Sequence, residues 1–285
     1  MNNFAIFIMV YGRPDKMRTL KTLRSSGYTG KVYFVADNLD ETVSYYQEKY
    51  GKDLIIFDKN EAYKKMESGD NTGDLRSTLY SANTIQEIAK EMGLKHFMIM
   101  CDDYTSISYK FDSDMQYHDR RVKNLDKILE RLIEFYEKTP ALTIAFAQGG
   151  DFSGGKKSSS ADIKLKRKAM NSFLCSTERP FKFIGRLNED VTTYVNLGSR
   201  GLLFFTITNV AINQKRHQSE KNGLTEVYLD YGTYVKSFFS VMYNPSCVRI
   251  SDVGDKYKRI HHKVKWNNAV PKILSENVKK YNSVR

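Results

Sequence analysis

Cysteine is scarce in this chain. Its 285 residues include only Cys101, Cys175 and Cys247. The three are odd in number, widely spaced and outside any Cys-x-x-Cys pattern, which argues against a disulfide framework and against a cysteine-ligated zinc site. We expect three ordinary thiols.

Long hydrophobic runs and a secretory leader are also missing. The longest apolar runs cover residues 4–10 and 202–207, whereas a helix that crosses a bilayer needs about 20 apolar residues. The first run lacks the basic leader and the small-residue cleavage site of a signal peptide. We therefore expect no membrane partner and a location in the cytoplasm.

Two common nucleotide-binding motifs are absent. Neither Gly-x-Gly-x-x-Gly nor Gly-x-x-x-x-Gly-Lys-Ser/Thr occurs, so the sequence supports neither a dinucleotide fingerprint nor a P-loop. A nucleotide site in this chain must use another design.

Positive charge, by contrast, is abundant. The formal net charge is +12, and hydrophobic residues make up 41% of the chain, which is enough for a packed core. The charge favours a polyanionic partner such as nucleic acid, although a lysine-rich solvated surface gives the same sum.

Strand-like and helix-like segments alternate along the first half. Strands are predicted at 4–10, 31–37, 54–58 and from His96, and helices at 16–26, 41–50 and 77–92. The second half adds a helix at 122–138, strands at 142–148 and 200–213, a mobile glycine-, serine- and lysine-rich loop at 149–168, and a basic tail from Tyr257 with one helix at most. With no repeat and no long linker, this order predicts one α/β domain with a C-terminal elaboration.

Two adjacent aspartates end the apolar run that begins at His96. A buried strand that ends in Asp102 and Asp103 delivers carboxylates to the sheet edge where α/β proteins place their sites. Carboxylate oxygens there can hold a hard divalent cation together with a phosphorylated substrate. The alternative is that the pair merely begins a turn.

Polar residues also follow the earlier strands. In "VYGRPDK", Gly12 permits close backbone approach, and Arg13 can hold a phosphate or a nucleobase carbonyl, or can pair with Asp15 or Asp37. Asp37 and Asp40 can accept hydrogen bonds from ribose hydroxyls or bond their own backbone. Arg76, just before a predicted helix, is a possible diphosphate or base contact.

The segment "GRLNEDVTTYVNLGSRG" predicts a helix start. Asn188 is a good N-cap, and Glu189 and Asp190 fall in the first turn, where their charge matches the helix dipole. A carboxylate at such a position can also act as a general base if it faces a cleft.

Histidines and basic segments complete the set of candidates. His217, or the pair His261 and His262, can complete a metal shell, although each can equally be an ordinary polar residue. The basic residues at 156–168 and 256–265 can contact phosphates, or can simply be solvated.

Several segments, taken together, resemble the TET-associated glycosyltransferases of phages, a GT-A type family that acts on hydroxymethylated pyrimidines in DNA. The matching segments are "YGRPDKMRTLKTLRSSGYTGKVYFVAD", "MCDDYTSISYKFD", "PALTIAFAQGGDFSGG", "KRKAMNSFLC", "FKFIGRLNEDVTTYVNLGSRG" and "WNNAVPKILSE". The resemblance implies a GT-A-like Rossmann-type mixed sheet flanked by helices. It also implies a nucleotide-sugar donor, with a UDP-sugar foremost, a Mn²⁺ or Mg²⁺ ion, and 5-hydroxymethylcytosine or 5-hydroxymethyluracil DNA as acceptor, in the cytoplasm of an infected bacterium.

The resemblance also implies roles for residues. Residues 1–112 would form the nucleotide-sugar half of a single domain 1–285, and residues 113–285 the acceptor half with a basic tail. Cys101 stands at the first position of the family's Asp-x-Asp motif, so the metal role goes to Asp103 and a ribose or metal-water role to Asp102. His217, a candidate from the residues alone, would be the second metal ligand. Asp190, ahead of Glu189, would be the base of a direct displacement with inversion. The donor loop maps onto Tyr11, Gly12, Arg13 and Asp37.

Two other functions stay open from the sequence. One is a GT-A glycosyltransferase that acts on a carbohydrate or cell-surface acceptor, for which the basic charge would serve solubility or an anionic membrane surface. The other is a nucleic-acid-binding protein without catalytic activity, in which the altered Asp-x-Asp motif reflects lost activity. A DNA pulldown separates the first from DNA modification, and an assay of donor hydrolysis separates the second.

Overall fold

A ten-stranded mixed sheet forms the centre of the protein. The computed structural model describes residues 3–114, 116–148, 152, 163–164, 169–214, 224–254 and 258–281. The strands are β1 (Phe4–Met9), β2 (Lys31–Asp37), β3 (Leu54–Phe57), β4 (His96–Cys101), β5 (Tyr104–Phe111), β6 (Tyr117–Arg121), β7 (Ala141–Gln148), β8 (Ile163–Lys164), β9 (Ser172–Ser176), β10 (Leu203–Gln214), β11 (Val248–Val253) and β12 (Arg259–Val264).

Helices cover both faces of the sheet. They are α1 (Thr19–Ser25), α2 (Val43–Tyr50), α3 (Lys59–Lys65), α4 (Leu79–Glu91), α5 (Leu125–Glu137), α6 (Glu189–Ser199), α7 (Leu224–Tyr231), α8 (Val235–Tyr243), α9 (Trp266–Ala269) and α10 (Glu276–Tyr281), with short 3₁₀ turns at Pro14–Lys16 and Gly51–Asp53. In the part of the chain that the structure describes, no helix is long and apolar enough to cross a membrane.

Strand order decides where the site can form. The sheet runs β3-β2-β1-β4-β9-β7-β10-β5-β6, with β8 paired to β10, and β11 and β12 form a separate hairpin. Strands β1, β2, β3 and β4 are mutually parallel, so their carboxyl ends lie along one edge. Parallel strands joined by helices place ligand sites at that edge.

Alternating side chains of the strands pack into two hydrophobic cores, one on each face of the sheet. In β1, Ile6 and Ile8 face the core covered by α1, α2 and α5, whereas Ala5 and Phe7 face the core covered by α3, α4 and α6. Because β1 is buried on both faces, its sequence "FAIFIM" reads as a continuous apolar run.

The predicted fold class is confirmed as a mixed α/β sheet flanked by helices, and the strands and helices predicted in the first half lie close to where the sequence pattern placed them. All three cysteines are free thiols, as expected. The prediction of one helix at most beyond Tyr257 is wrong, because β12, α9 and α10 occupy that region. The predicted loop at 149–168 lies outside the described residues except for Phe152 and the two residues of β8.

Candidate active site

The loop after β1 is held by two residues of the neighbouring β2–α2 segment. Gly12 adopts the left-handed conformation, with φ of 64°, which glycine accepts without steric cost. Its amide donates to Oδ2 of Asp40 at 2.9 Å, and the amide of Arg13 donates to the Tyr46 hydroxyl at 2.9 Å. The predicted donor loop therefore has a fixed backbone.

Asp102 is committed to structural contacts. Its Oδ1 accepts from Nη2 of Arg13 at 2.7 Å, and only 4% of the Asp102 side chain is exposed. Its backbone carbonyl accepts from the amides of Arg18 and Thr19 at the start of α1. The structure thus ties the carboxyl end of β4 to the loop after β1 through an ion pair of Arg13 with Asp102, whereas the sequence offered Asp15 or Asp37 as its partner.

Asp37 forms a second buried ion pair. Its Oδ2 accepts from Nζ of Lys59 at 2.9 Å, and its Oδ1 accepts from the Leu39 amide at 3.1 Å. The same ammonium lies 4.9 Å from the centre of the Tyr11 ring, a cation–π distance. Burial, and then the negative charges of Asp37 and Asp40, raise the pKa of Tyr11. Both carboxylate oxygens of Asp37 therefore make contacts within the protein, one with Lys59 and one with the backbone after β2.

Arg76 joins an ion-pair network in front of α4. Its guanidinium contacts Oδ2 of Asp74 at 2.8 Å and Oδ2 of Asp230 at 2.7 Å. Arg186, which is buried, contacts Asp70 at 2.8 Å and Asp74 at 3.4 Å in the same network. These contacts fix the segment before α4 against α7, and a role of Arg76 toward phosphate stays a prediction.

Glu189 and Asp190 begin α6, as predicted. Asn188 occupies the N-cap position in a left-handed conformation, with φ of 59°, and the expected capping bond is not formed. Its side-chain amide donates to Oγ of Ser240 at 2.6 Å. The hydroxyl of Thr78, at the start of α4, donates to Oε1 of Glu189.

The environment of Glu189 changes its acidity. Burial and the neighbouring charge of Asp190 raise the pKa of Glu189 to about 7, while the Thr78 hydroxyl and the Lys236 ammonium oppose that rise. Burial raises the pKa of Tyr228 on α7, and Glu189 and Asp190 raise it further. Near neutral pH, therefore, Glu189 exchanges its proton in a partly enclosed acidic pair, a property that is common at catalytic sites.

The acidic residues directly after β4 and at the start of α6 lie within electrostatic reach of Cys101. Burial raises the pKa of the Cys101 thiol, and the charges of Asp103, Asp102 and Glu189 raise it further. The sequence could not place these residues together, because more than eighty positions separate Asp103 from Glu189. The structure brings them to the same edge of the sheet.

The fit of a divalent cation rests on Asp103. No group of three or more histidine, cysteine, aspartate or glutamate side chains arranged to hold a metal occurs among the described residues, and His217 lies outside them. A Mg²⁺ ion that shares its ligands with substrate phosphates, however, needs only about one or two protein carboxylates. The partly buried Asp103 at the end of β4 suits such a shared site, whereas a closed site made of protein ligands alone is not formed by the described residues.

Sequence reasoning missed several residues around the acids. Lys59 was overlooked because α3 was not predicted, and Asp58 at its start is an N-cap whose side chain accepts from the Glu61 amide. Thr78, a hydroxyl residue in the first turn of the predicted helix at 77–92, was the one available signal for the partner of Glu189. Tyr228 carried no signal in the sequence.

Comparison with solved structures finds similar folds at low identity. Glucosyl-3-phosphoglycerate synthase from Mycobacterium tuberculosis, in complex with Mg²⁺ and UDP, is 7% identical, with a TM-score of 0.45 over 92% of this chain and 87% of that chain. The mannosyltransferase PcManGT from Pyrobaculum calidifontis, in complex with GDP-Man and Mn²⁺, is 12% identical, with a TM-score of 0.45 over 86% and 73%. TarS 1–349 of S. aureus is 10% identical, with a TM-score of 0.42 over 85% and 70%.

Sequence comparison identifies the family. No curated protein matches the chain. The family model described as TET-Associated Glycosyltransferase matches residues 4–223, which include the loop after β1, the end of β4 and the acidic start of α6. The chain therefore belongs to the TET-associated glycosyltransferase family.

Proposed function

We propose that this glycosyltransferase moves a sugar from a nucleoside-diphosphate sugar to the hydroxymethyl oxygen of 5-hydroxymethylpyrimidines in DNA, with inversion at the anomeric carbon. The observation that carries the proposal is the convergence of Asp103, at the end of β4, with Glu189, at the start of α6, around Cys101. A leaving diphosphate needs positive charge, and an attacking hydroxyl needs a base. Asp103 is suited to holding the cation, and the start of α6 is suited to supplying the base.

Asp190 is the proposed base. It removes the proton of the hydroxymethyl group as that oxygen bonds to the anomeric carbon and the bond from that carbon to the diphosphate oxygen breaks. Glu189, whose pKa is raised to about 7 by burial and by Asp190, limits the negative charge of the pair. It is itself held by the Thr78 hydroxyl, which fixes the turn that carries Asp190.

The donor lies against the first half of the sheet, within residues 1–112. Tyr11 offers a partly exposed ring next to the loop at Gly12 and Arg13. Asp103 would hold a Mg²⁺ or Mn²⁺ ion, which would neutralise charge on the departing diphosphate. Asp102 fixes Arg13 at the same edge, which orients its guanidinium beside the proposed diphosphate site.

Two features favour DNA as the acceptor. The resemblance to the family implies hydroxymethylated pyrimidines in DNA, and the net charge of +12 suits a polyanion. A substituent at C5 of a pyrimidine projects into the major groove. The enzyme reaches it either in the groove or by turning the nucleotide out of the stack.

Mass spectrometry of digested nucleosides tests the reaction. The enzyme is incubated with Mn²⁺, a panel of nucleotide sugars, and duplexes that contain 5-hydroxymethylcytosine or 5-hydroxymethyluracil. We expect a pentose or hexose mass on the modified base, lost on chelation and lowered about 10²- to 10⁴-fold in Asp190→Asn and in Asp103→Asn. Glu87→Gln, an exposed change of the same kind in α4, is the control and should keep full activity.

The outcomes separate the proposal from its alternatives. Transfer to a carbohydrate but to no DNA would overturn the acceptor and leave the enzyme class. Tight DNA binding without turnover of any donor would overturn catalysis. Full activity of Asp190→Asn would remove Asp190 from the role of base.

A further inference from the structure

The hairpin formed by β11 and β12 has one strongly basic face. In an antiparallel pair, directly opposed residues lie on the same face, and the face alternates along each strand. The register therefore places six residues on one side, here called the outer face: Arg249, Ser251, Val253, Arg259, His261 and Lys263. None of the six is acidic, and Arg249, Arg259 and Lys263 are exposed.

Two like charges oppose each other on this outer face. Arg249 pairs directly with Lys263 across the ladder, and like charges in that position destabilise an antiparallel pair. The hairpin's one described acid, Asp252, pairs with Ile260 on the other face, where Lys258 contacts it at 3.1 Å. The distribution thus concentrates positive charge on the outer face, at a cost in stability that an anionic partner would offset.

The opposite face attaches the hairpin to the acidic start of α6. Val248 and His262 are both buried on that face. Nδ1 of His262 lies 3.3 Å from the side-chain nitrogen of Asn188, and Asn188 directly precedes Glu189. Both strands also pack on α8. The hairpin itself is therefore anchored next to the proposed catalytic pair.

We propose that the outer face of the β11–β12 hairpin binds backbone phosphates of the DNA acceptor and holds the duplex so that the modified base reaches Asp190. This inference rests on the proposed function and names the acceptor surface. A two-stranded ribbon fits the major groove of DNA, where the C5 substituent lies. The hairpin follows residue 223, where the family match ends, so the family assignment does not supply this surface.

Charge removal and charge reversal test the surface. DNA affinity is measured by fluorescence anisotropy on a 20-base-pair duplex over a series of salt concentrations. For Arg249→Gln combined with Lys263→Gln, two lost phosphate contacts should reduce the slope of log affinity against log salt by about 2. We expect KM for the duplex to rise about tenfold with kcat retained, because these residues contact phosphates and not the reacting atoms.

Arg249→Glu distinguishes a loss of DNA contacts from a loss of folding. The new glutamate would face Lys263 across the ladder and form an opposite-charge pair, so the melting temperature should stay or rise by about 1 °C while DNA affinity falls. The matched control combines Lys52→Gln with Lys90→Gln. These exposed lysines lie directly before β3 and near the start of β4, at the amino edge opposite the site, and their loss should leave both affinity and KM close to wild type.

Three outcomes would each overturn a named part of the proposals. An unchanged salt slope in the Arg249 and Lys263 double variant, with a wild type that glycosylates DNA, would overturn the hairpin surface and leave the proposed function. A wild type that binds DNA through the hairpin but transfers no sugar to it would overturn the proposed function alone. Binding of the wild type to vesicles of phosphatidylcholine and phosphatidylserine, without binding to DNA, would overturn the hairpin as a DNA surface.

Discussion

Replacement of Glu189 by glutamine should flatten the dependence of stability on pH. The pKa of Glu189 rises from 4.5 to about 7 through burial and the charge of Asp190. Because the folded state binds this proton more tightly than the unfolded state does, the stabilisation is fully present below pH 4.5 and is lost as the pH rises through 7. Glutamine does not titrate, so the variant lacks this loss.

The size of the effect follows from the two pKa values. Between pH 5 and pH 8, the wild type should lose about 2 to 3 kcal/mol of unfolding free energy relative to Glu189→Gln. For a chain of this size, that difference amounts to roughly 5 °C in melting temperature. Urea denaturation at half-unit pH steps measures it, with Glu87→Gln as a control that should follow the wild-type curve.

A second variant tests the cause of the shift. The Thr78 hydroxyl donates to Glu189 and lowers its pKa, so Thr78→Val should move the midpoint of the stability loss to higher pH, whereas Thr78→Ser should keep it. Parallel stability curves for the wild type and Glu189→Gln over this range would refute the reasoning, because they would mean that Glu189 titrates alike in the folded and unfolded states.

Two further predictions concern the framework of the site. Lys59→Met leaves the buried carboxylate of Asp37 without its partner at 2.9 Å, which should lower the unfolding free energy measured by urea denaturation by about 3 to 5 kcal/mol. Combination with Asp37→Asn should restore most of that stability. A double variant no more stable than Lys59→Met would argue against the pair. In Gly27→Ala, with φ of 87°, the new Cβ would lie 2.2 Å from the carbonyl oxygen of Lys123, so we expect a loss of about 3 kcal/mol or more. Gly93→Ala, with φ of 69° and open space around it, should cost about 1 kcal/mol; equal melting temperatures of the two glycine variants would contradict the clash.

The sequence predicts the first half of the fold well because local signals there agree. In β4, an apolar run long enough for one buried strand ends in Asp102 and Asp103, and alternation of strands with helices places such ends at a common edge. The start of α6 is equally readable from Glu189 and Asp190 in its first turn. Where the residues of an element determine its structure by themselves, the sequence pattern is sufficient to predict that element.

Long-range pairing limits what the sequence predicts about the site. The ion pair of Arg13 with Asp102 joins residues 89 positions apart, and that of Asp37 with Lys59 crosses from β2 to an unpredicted helix. Neither pair has a local signature, so each aspartate looked equally suited to a ligand and to the fold. The β11–β12 hairpin was missed because its polar, basic strands lack the apolar alternation that marks a half-buried strand.

Strand β9 has a consequence for how this chain can be divided. It lies antiparallel between β4 and β7, so the edge of β4 is covered only after residues 172–176 have been made. A fragment that ends at residue 112 would expose the apolar strand "HFMIMC" along an open edge, which is a template for aggregation. Residues 1–112, the proposed nucleotide-sugar half, therefore share one sheet with the rest of the chain, and β4 gains its second neighbour only when β9 has been synthesised.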